Sequence, residues 1–264
     1  KIKEYIDRGD YFTMNRARQY GKTTTLKALA KFLSKEYVVM SLDFQRLSSS
    51  DFRDEASFVM AFAREIVAVA DRKSEVPQEI KAELKAFADG TIKNAVLALL
   101  FGCLNQWCRV SEKKVVLMID EVDHASNNQV FLDFLALLRV NYIDRDEIPT
   151  FHSVILASVY DVKSLKAKIR TGDEHKTNSP WNIAADFDLD MSLQKEGIAG
   201  MLEDYEADHH TGMAVHKISE LLYDYTSGYP FLVSRLCKLI DEKIAGSQAF
   251  PDKKAAWTKE GFLA

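Results

Sequence analysis

The chain has 264 residues, 47% hydrophobic and 28% charged, which suits one large domain or a domain with a small appendage. Its formal net charge of −4 excludes a global attraction to nucleic acid or anionic membrane and leaves only local basic patches for such a role. The three cysteines, Cys103, Cys108 and Cys237, form no metal-ligand pattern and read as reduced thiols of a cytoplasmic protein, and neither a membrane span nor a signal peptide is visible.

Residues 2–6 read as part of a helix, and Gly9-Asp10 as a turn into a short strand at 11–14. Residues 23–35 form a helical pattern with Leu26, Leu29, Ala30 and Leu33 on one face. A β-branched apolar run at 37–43 is the second strand. Helices follow at 52–70, from Pro77 to Phe87, and at 92–107. Residues 114–119 are continuously apolar and end in Asp120-Glu121, the pattern of a buried parallel strand. A helix at 129–140 precedes another buried strand at 153–158, and 187–191 reads as a weaker strand of alternating polarity. The polar stretch 170–180 reads as an exposed loop.

From Gln194 onward the chain is helical in pattern, with segments at 196–206, 215–225 and 231–245. Strands alternating with helices and then helices alone predict a parallel α/β core followed by a helical lid or bundle. The division is placed at 1–193 for the core and 194–264 for the helical region, the latter a lid or the start of a winged-helix-like region. The chain opens inside one helix and stops as another begins after Thr258, so it is expected to be a piece of a longer protein.

The segment Arg16-Ala17-Arg18-Gln19-Tyr20-Gly21-Lys22-Thr23-Thr24 lies between the first strand and the first long helix. A Gly-Lys-Thr turn opening a helix surrounds phosphates with backbone N–H groups and an ammonium. Arg18, Gln19, Tyr20, Gly21, Lys22, Thr23 and Thr24 are the candidate nucleotide contacts. The usual first glycine of such a loop is replaced by Arg16, which restricts the backbone there.

Far downstream, Asp120 and Glu121 supply the second half of the pattern. Thr23 and Asp120 are the candidate Mg2+ contacts, the latter through water, and Glu121 the candidate activator of an attacking water. Carboxylates at the end of a buried strand are costly unless used or solvated.

Ser158, at the end of a neighbouring strand, is a candidate γ-phosphate or water contact, competing with Tyr160 and Asp161 and with a plain turn role. Arg139 and Arg145 are each read as a helix C-terminal cap or as a finger reaching a neighbour's nucleotide, with the cap favoured. Asp123, His124, His209 and His210 read as loop or surface residues. Lys163, Lys166, Lys168 and Arg170 form a basic cluster read as a solvated face. Gly228 stops one helix and Pro230 opens the next.

The string from Asn15 to Leu26 resembles the glycine-poor phosphate loop of bacterial AAA-like ATPases, a group similar to the archaeal-type and signal-transduction (STAND) P-loop ATPases. Residues 153–163 and 180–184 also resemble that group, and Gly228-Tyr229-Pro230 is similar to its Gly-x-Pro element. The resemblance covers nearly the whole chain and makes Arg16 ordinary. It implies a five-stranded parallel sheet of order 5-1-4-3-2, Gly228 and Pro230 near the nucleotide base, and an ATP-dependent switch or remodeller. ATP rests on that resemblance, because no base-reading motif is present. The alternative is a nucleotide-binding scaffold that does not hydrolyse. A protein partner or C-terminal effector region is expected; homo-oligomerisation stays open, and nucleic acid is open but not indicated.

Overall fold

The computed structural model describes residues 1–159, 181, 183–187 and 190–264. The chain divides into two compact units: Lys1–Ala17 with Lys22–Leu189, and Arg18–Gly21 with Asp190–Ala264.

In the first unit, helix α1 (Ile2–Arg8) ends at Gly9 in the left-handed region, whose N–H bonds back to the helix and turns the chain into strand β1 (Tyr11–Asn15). Helix α2 (Lys22–Leu33) leads to β2 (Val38–Asp43). Helices α3 (Glu55–Ala70), α4 (Gln78–Ala88) and α5 (Leu97–Val110) then precede β3 (Val115–Asp120), α6 (Gln129–Ile143) and β4 (Ser153–Ser158).

The four strands form one parallel sheet in the order β1-β4-β3-β2. Strands β3 and β4 are the two inner ones and every residue in them is buried, which is why both read as uninterrupted apolar runs. Polar residues collect where the strands end: Asn15 is in register with Ser158, and Asp43 with Asp120.

A cluster of phenylalanines fills the core of this unit. Phe44 meets Phe58, Phe62 and Phe131 edge-on at centroid distances of 6.3, 6.2 and 5.9 Å, and Phe134 packs on Phe62 at 4.9 Å. Each fully buried ring contributes on the order of 1.5–3 kcal/mol relative to exposure.

Among the described residues the sheet has four strands, one fewer than the five expected. Ala185 makes a single parallel bridge to Phe12, on the outer edge of β1, and its N–H donates to Tyr11 O at 2.8 Å. No strand follows there among the described residues. Phe187 packs its ring on Tyr5 at 5.0 Å and on Phe12 at 4.7 Å, so its apolar surface is half-buried without a ladder. Residues 188 and 189 of the expected strand lie outside the described residues, as does the expected loop at 170–180.

The second unit contains α7 (Lys195–His209), α8 (Val215–Thr226) and α9 (Pro230–Leu239), which runs into a π-helical turn at Ile240–Ile244. The short helices α10 (Lys253–Ala256) and α11 (Lys259–Leu263) follow. Ile198, Leu202, Ile218, Leu222, Val233 and Trp257 are among its core residues. No helix among the described residues is long and apolar enough to cross a membrane.

Candidate functional site

Strand β1 delivers the loop of residues 16–21 to the N-terminus of α2. Two residues of this loop have left-handed backbones, Gln19 at φ 65° and Gly21 at φ 78°. Arg16 is not one of them, so the position where a glycine was missing makes no demand that arginine cannot meet. A Cβ at Gly21 would meet nothing within 4 Å, so its neighbourhood is open. Gly21 is required by its backbone angle and leaves room for a ligand to approach.

Lys22, the first residue of α2, is 5% exposed. Its ammonium donates to Arg16 O at 2.7 Å and Ala17 O at 3.1 Å, so it lies against the inner side of the loop. The next residue, Thr23, donates its hydroxyl to Asp120 Oδ2 at 2.5 Å. Asp120 is itself 5% exposed, and its other oxygen accepts the Glu121 N–H at 2.9 Å. The Asp43 carboxylate, one strand away, is taken up by the Gln45 N–H at 3.0 Å. Glu121 is held at φ 54°, a backbone conformation uncommon for a non-glycine residue, and is half-buried. Thr24 is exposed on the first turn of α2.

On the neighbouring strand, Ser158 is 1% exposed and donates to Asn15 Oδ1 at 2.6 Å. The Asn15 amide in turn donates to Thr13 Oγ1 at 3.3 Å. Tyr160 and Asp161, the competitors of Ser158, lie outside the described residues, as does the basic cluster at 163–170. Asp123 does more than fill a loop: its Oδ2 accepts the Val159 N–H at 2.5 Å and ties the segment after β3 to the end of β4. Asn15 was recognisable as a polar residue closing an apolar strand just before the loop; the tie made by Asp123 has no local sequence signal.

Arg18, Gln19, Tyr20 and Gly21 group with the helical unit. Within that unit, the Tyr20 ring stacks on Tyr229 at 4.6 Å with 25° between planes, and Tyr229 Oη donates to Arg18 O at 2.8 Å. Gly228 and Pro230 flank Tyr229. Gly228 has φ +72°, and Pro230 is the first residue of α9.

The candidate finger Arg145 is elsewhere. It follows α6 and donates to Gly9 O at 2.8 Å, at the end of the sheet where the strands begin. Arg139 Nε is buried without a hydrogen-bond partner among the described residues. No cluster of three or more His, Cys, Asp or Glu side chains suited to a metal occurs among the described residues.

The core residues therefore bring an ammonium, a hydroxyl and the Asp120 carboxylate to the N-terminus of a twelve-residue helix. The first N–H groups of a helix have no partner within the helix, and with the helix dipole they favour an anion there. Oxygen donors from Thr23 and Asp120 suit a hard divalent cation that keeps several waters.

Residues 2–255 match the family model described as an AAA-like domain. The chain belongs to the AAA-like domain family. Among solved structures, this AAA-like chain is similar to a Walker-type ATPase of Pyrococcus abyssi, at 14% identity and a TM-score of 0.54, over 90% of this chain and 70% of that one. That likeness shows the fold of a P-loop ATPase. Two weaker matches are Cdc6p of Pyrobaculum aerophilum (14% identity, TM-score 0.45, 77% of this chain and 45% of that one) and Orc1 of Aeropyrum pernix in complex with DNA (12%, 0.41, 78% and 47%). The AAA-like chain thus spans about half the length of those two proteins. No curated protein matches it.

Proposed function

We propose that the chain binds Mg-ATP on the loop of residues 16–24, hydrolyses it, and uses the cycle as a conformational switch in regulation or remodelling. The observation that carries this reading is the Thr23–Asp120 hydrogen bond, which joins two motifs 97 residues apart in sequence into one cluster beside Lys22. Chance motifs would have no reason to meet.

In this reading Lys22 exchanges the carbonyls of Arg16 and Ala17 for β- and γ-phosphate oxygens. Backbone N–H groups of Gln19 to Thr24 cradle the phosphates, with Arg18 adding charge. Thr23 would hold Mg2+ directly and Asp120 through water. The ion would neutralise charge on the phosphates when bound. Glu121 takes a proton from the attacking water, and Ser158, positioned by Asn15, orients the water or the γ-phosphate. Gly228 and Pro230 set the turn that presents Tyr229 to the base. Residues 1–193 act as the nucleotide core and 194–264 as the moving region, answering to a protein partner, a C-terminal effector or a second copy of the chain.

The second reading is a nucleotide-binding scaffold without hydrolysis. It is favoured by the place of Arg145, which bonds Gly9 O where the strands begin, away from Asp120 where they end. The deciding experiment is Mg-ATP turnover per chain against protein concentration, with Lys22→Ala and Glu121→Gln as controls. Turnover lost in both variants supports hydrolysis, and a per-chain rate that rises with concentration supports completion by a neighbour. ATP binding that depends on Lys22, with no turnover at any concentration, supports the scaffold. Full turnover in Glu121→Gln rejects the role given to Glu121.

A further inference from the structure

The backbone pairing of β3 with β4 ends at Ile119 and Leu156, two residues short of Glu121 on one strand and of Ser158 on the other. On their other sides both strands stay paired further: β4 with β1 as far as Ser158, and β3 with β2 as far as Asp120. The sheet therefore opens between β3 and β4 at the end where the two candidate residues lie. Continued past its last pair, the register sets Glu121 level with Ser158. In open parallel sheets, a crevice outside the carboxyl ends of the strands is where ligands bind.

One side chain bridges the gap that the backbone leaves. Asp123, half-buried, accepts the Val159 N–H on Oδ2 at 2.5 Å from across the opening. A carboxylate accepts such a bond more strongly than a neutral group does. The turn that carries Asp123 is itself fixed. Asp123 O accepts the Ser126 N–H at 3.2 Å and the Ser126 hydroxyl at 2.8 Å, and Glu121 O accepts the His124 N–H at 3.1 Å. On the other flank His124 Nε2 donates to Leu47 O at 2.8 Å, which ties the same turn to the segment after β2. Asp123 is two residues from Glu121, and Val159 adjoins Ser158. The Asp123–Val159 bond thus sets the spacing between the candidate water activator and the candidate γ-phosphate contact.

We propose that Asp123 is a positioning residue for hydrolysis, holding Glu121 and Ser158 at one spacing so that both face the same terminal phosphate and its attacking water. The inference rests on the hydrolytic reading of the site. Asp123 acts through the Val159 N–H, and the role requires an acceptor at that reach, not a negative charge. Misplacing a reacting group by about 1 Å can cost on the order of 100-fold in rate. Nucleotide binding, carried by Lys22 and the loop, is left intact.

The test measures turnover at saturating Mg-ATP, ATP affinity and the hydrogen-exchange rate of the Val159 amide in Asp123→Asn, Asp123→Glu and Asp123→Ala. The first keeps an acceptor at the same reach and removes the charge. The second keeps the charge and displaces the acceptor by one methylene. The third removes both. Asp123→Asn should stay within about threefold of the parent, while Asp123→Glu and Asp123→Ala lose roughly tenfold to 100-fold in kcat with ATP affinity little changed. Exchange at Val159 should quicken in those two variants and not in Asp123→Asn. If Asp123→Ala fails to fold, the other two variants decide between themselves. An active Asp123→Glu beside an inactive Asp123→Asn shows that the charge acts directly and overturns the proposal, as does a parent-like rate in Asp123→Ala. A parent without turnover overturns the hydrolytic reading and this inference together, whereas the outcomes just named remove this inference alone.

Discussion

Thr23 Oγ1 donates to Asp120 Oδ2 at 2.5 Å, joining the start of α2 to the end of β3. The hydroxyl and carboxylate are the two oxygen donors assigned to Mg2+, and here they hold each other. Asp120→Asn keeps an acceptor for Thr23 but removes the charge. Its stability should stay within about 1 kcal/mol of the parent, while Mg-ATP turnover falls roughly 100-fold. Urea unfolding and steady-state turnover check the two parts, and an active Asp120→Asn enzyme would remove Asp120 from the metal site.

Glu121 sits at φ 54°, where a side chain is strained and glycine is not. Glu121 is also the residue proposed to activate the attacking water. Glu121→Gly should raise stability by up to about 1 kcal/mol and abolish turnover, whereas Glu121→Gln should abolish turnover with stability unchanged. Thermal melts on both variants separate the outcomes. A Glu121→Gly protein less stable than Glu121→Gln would mean that the side chain itself supports the fold.

The parts of the fold that were legible are those whose causes are local. Strand β4 was read at its observed bounds and β3 within a residue, because a strand buried on both faces writes itself as an unbroken apolar run. Helix α5 was expected from residue 92 but starts at Leu97. Asn94 is left-handed, and the Leu97 N–H is capped by Glu55 Oε1 at 2.7 Å, 42 residues earlier in the chain. The helix read at 231–245 changes to a π turn at Ile240, with Ala245 N–H bonding back to Ile240 O. The motifs of the candidate site were visible as residues. The stack of Tyr20 on Tyr229 was not, since no periodicity links a loop to a turn about two hundred residues away.

Asp54 gives a pH dependence. It caps α3 by accepting the Ser57 N–H at 2.8 Å. That backbone bond, then the Ser57 side chain and Arg53, lower its pKa from 3.8 to about 2. A carboxylate depressed in the folded state contributes stability that is complete above the unfolded value and is lost as pH falls through the folded one. The Tm difference between the parent and Asp54→Ala should therefore be constant near neutrality, shrink as pH falls past 3.8, and close only below about pH 2. A difference that persists unchanged to the lowest pH would show that the ionised cap contributes nothing.

Gly228 tests what the Gly-Tyr-Pro turn is for. Helix α8 ends at Thr226, Ser227 and Gly228 are both left-handed, and α9 begins at Pro230. Gly228 O accepts the Leu193 N–H at 2.8 Å, and a Cβ at Gly228 would lie 2.1 Å from Leu193 O. Such a contact with backbone cannot be relieved by rotating a side chain, and the backbone angle adds its own penalty. Gly228→Ala should cost about 3 kcal/mol, among the larger effects of a single substitution. Pro230→Ala, at a position where proline merely presets the first turn, should cost well under 1 kcal/mol. If the turn also serves the nucleotide through Tyr229, then Tyr229→Ala should weaken ATP binding while leaving stability nearer the parent than Gly228→Ala does. Equal ATP affinity in Tyr229→Ala and parent, with Gly228→Ala unstable, would make the element purely a structural joint between α8 and α9.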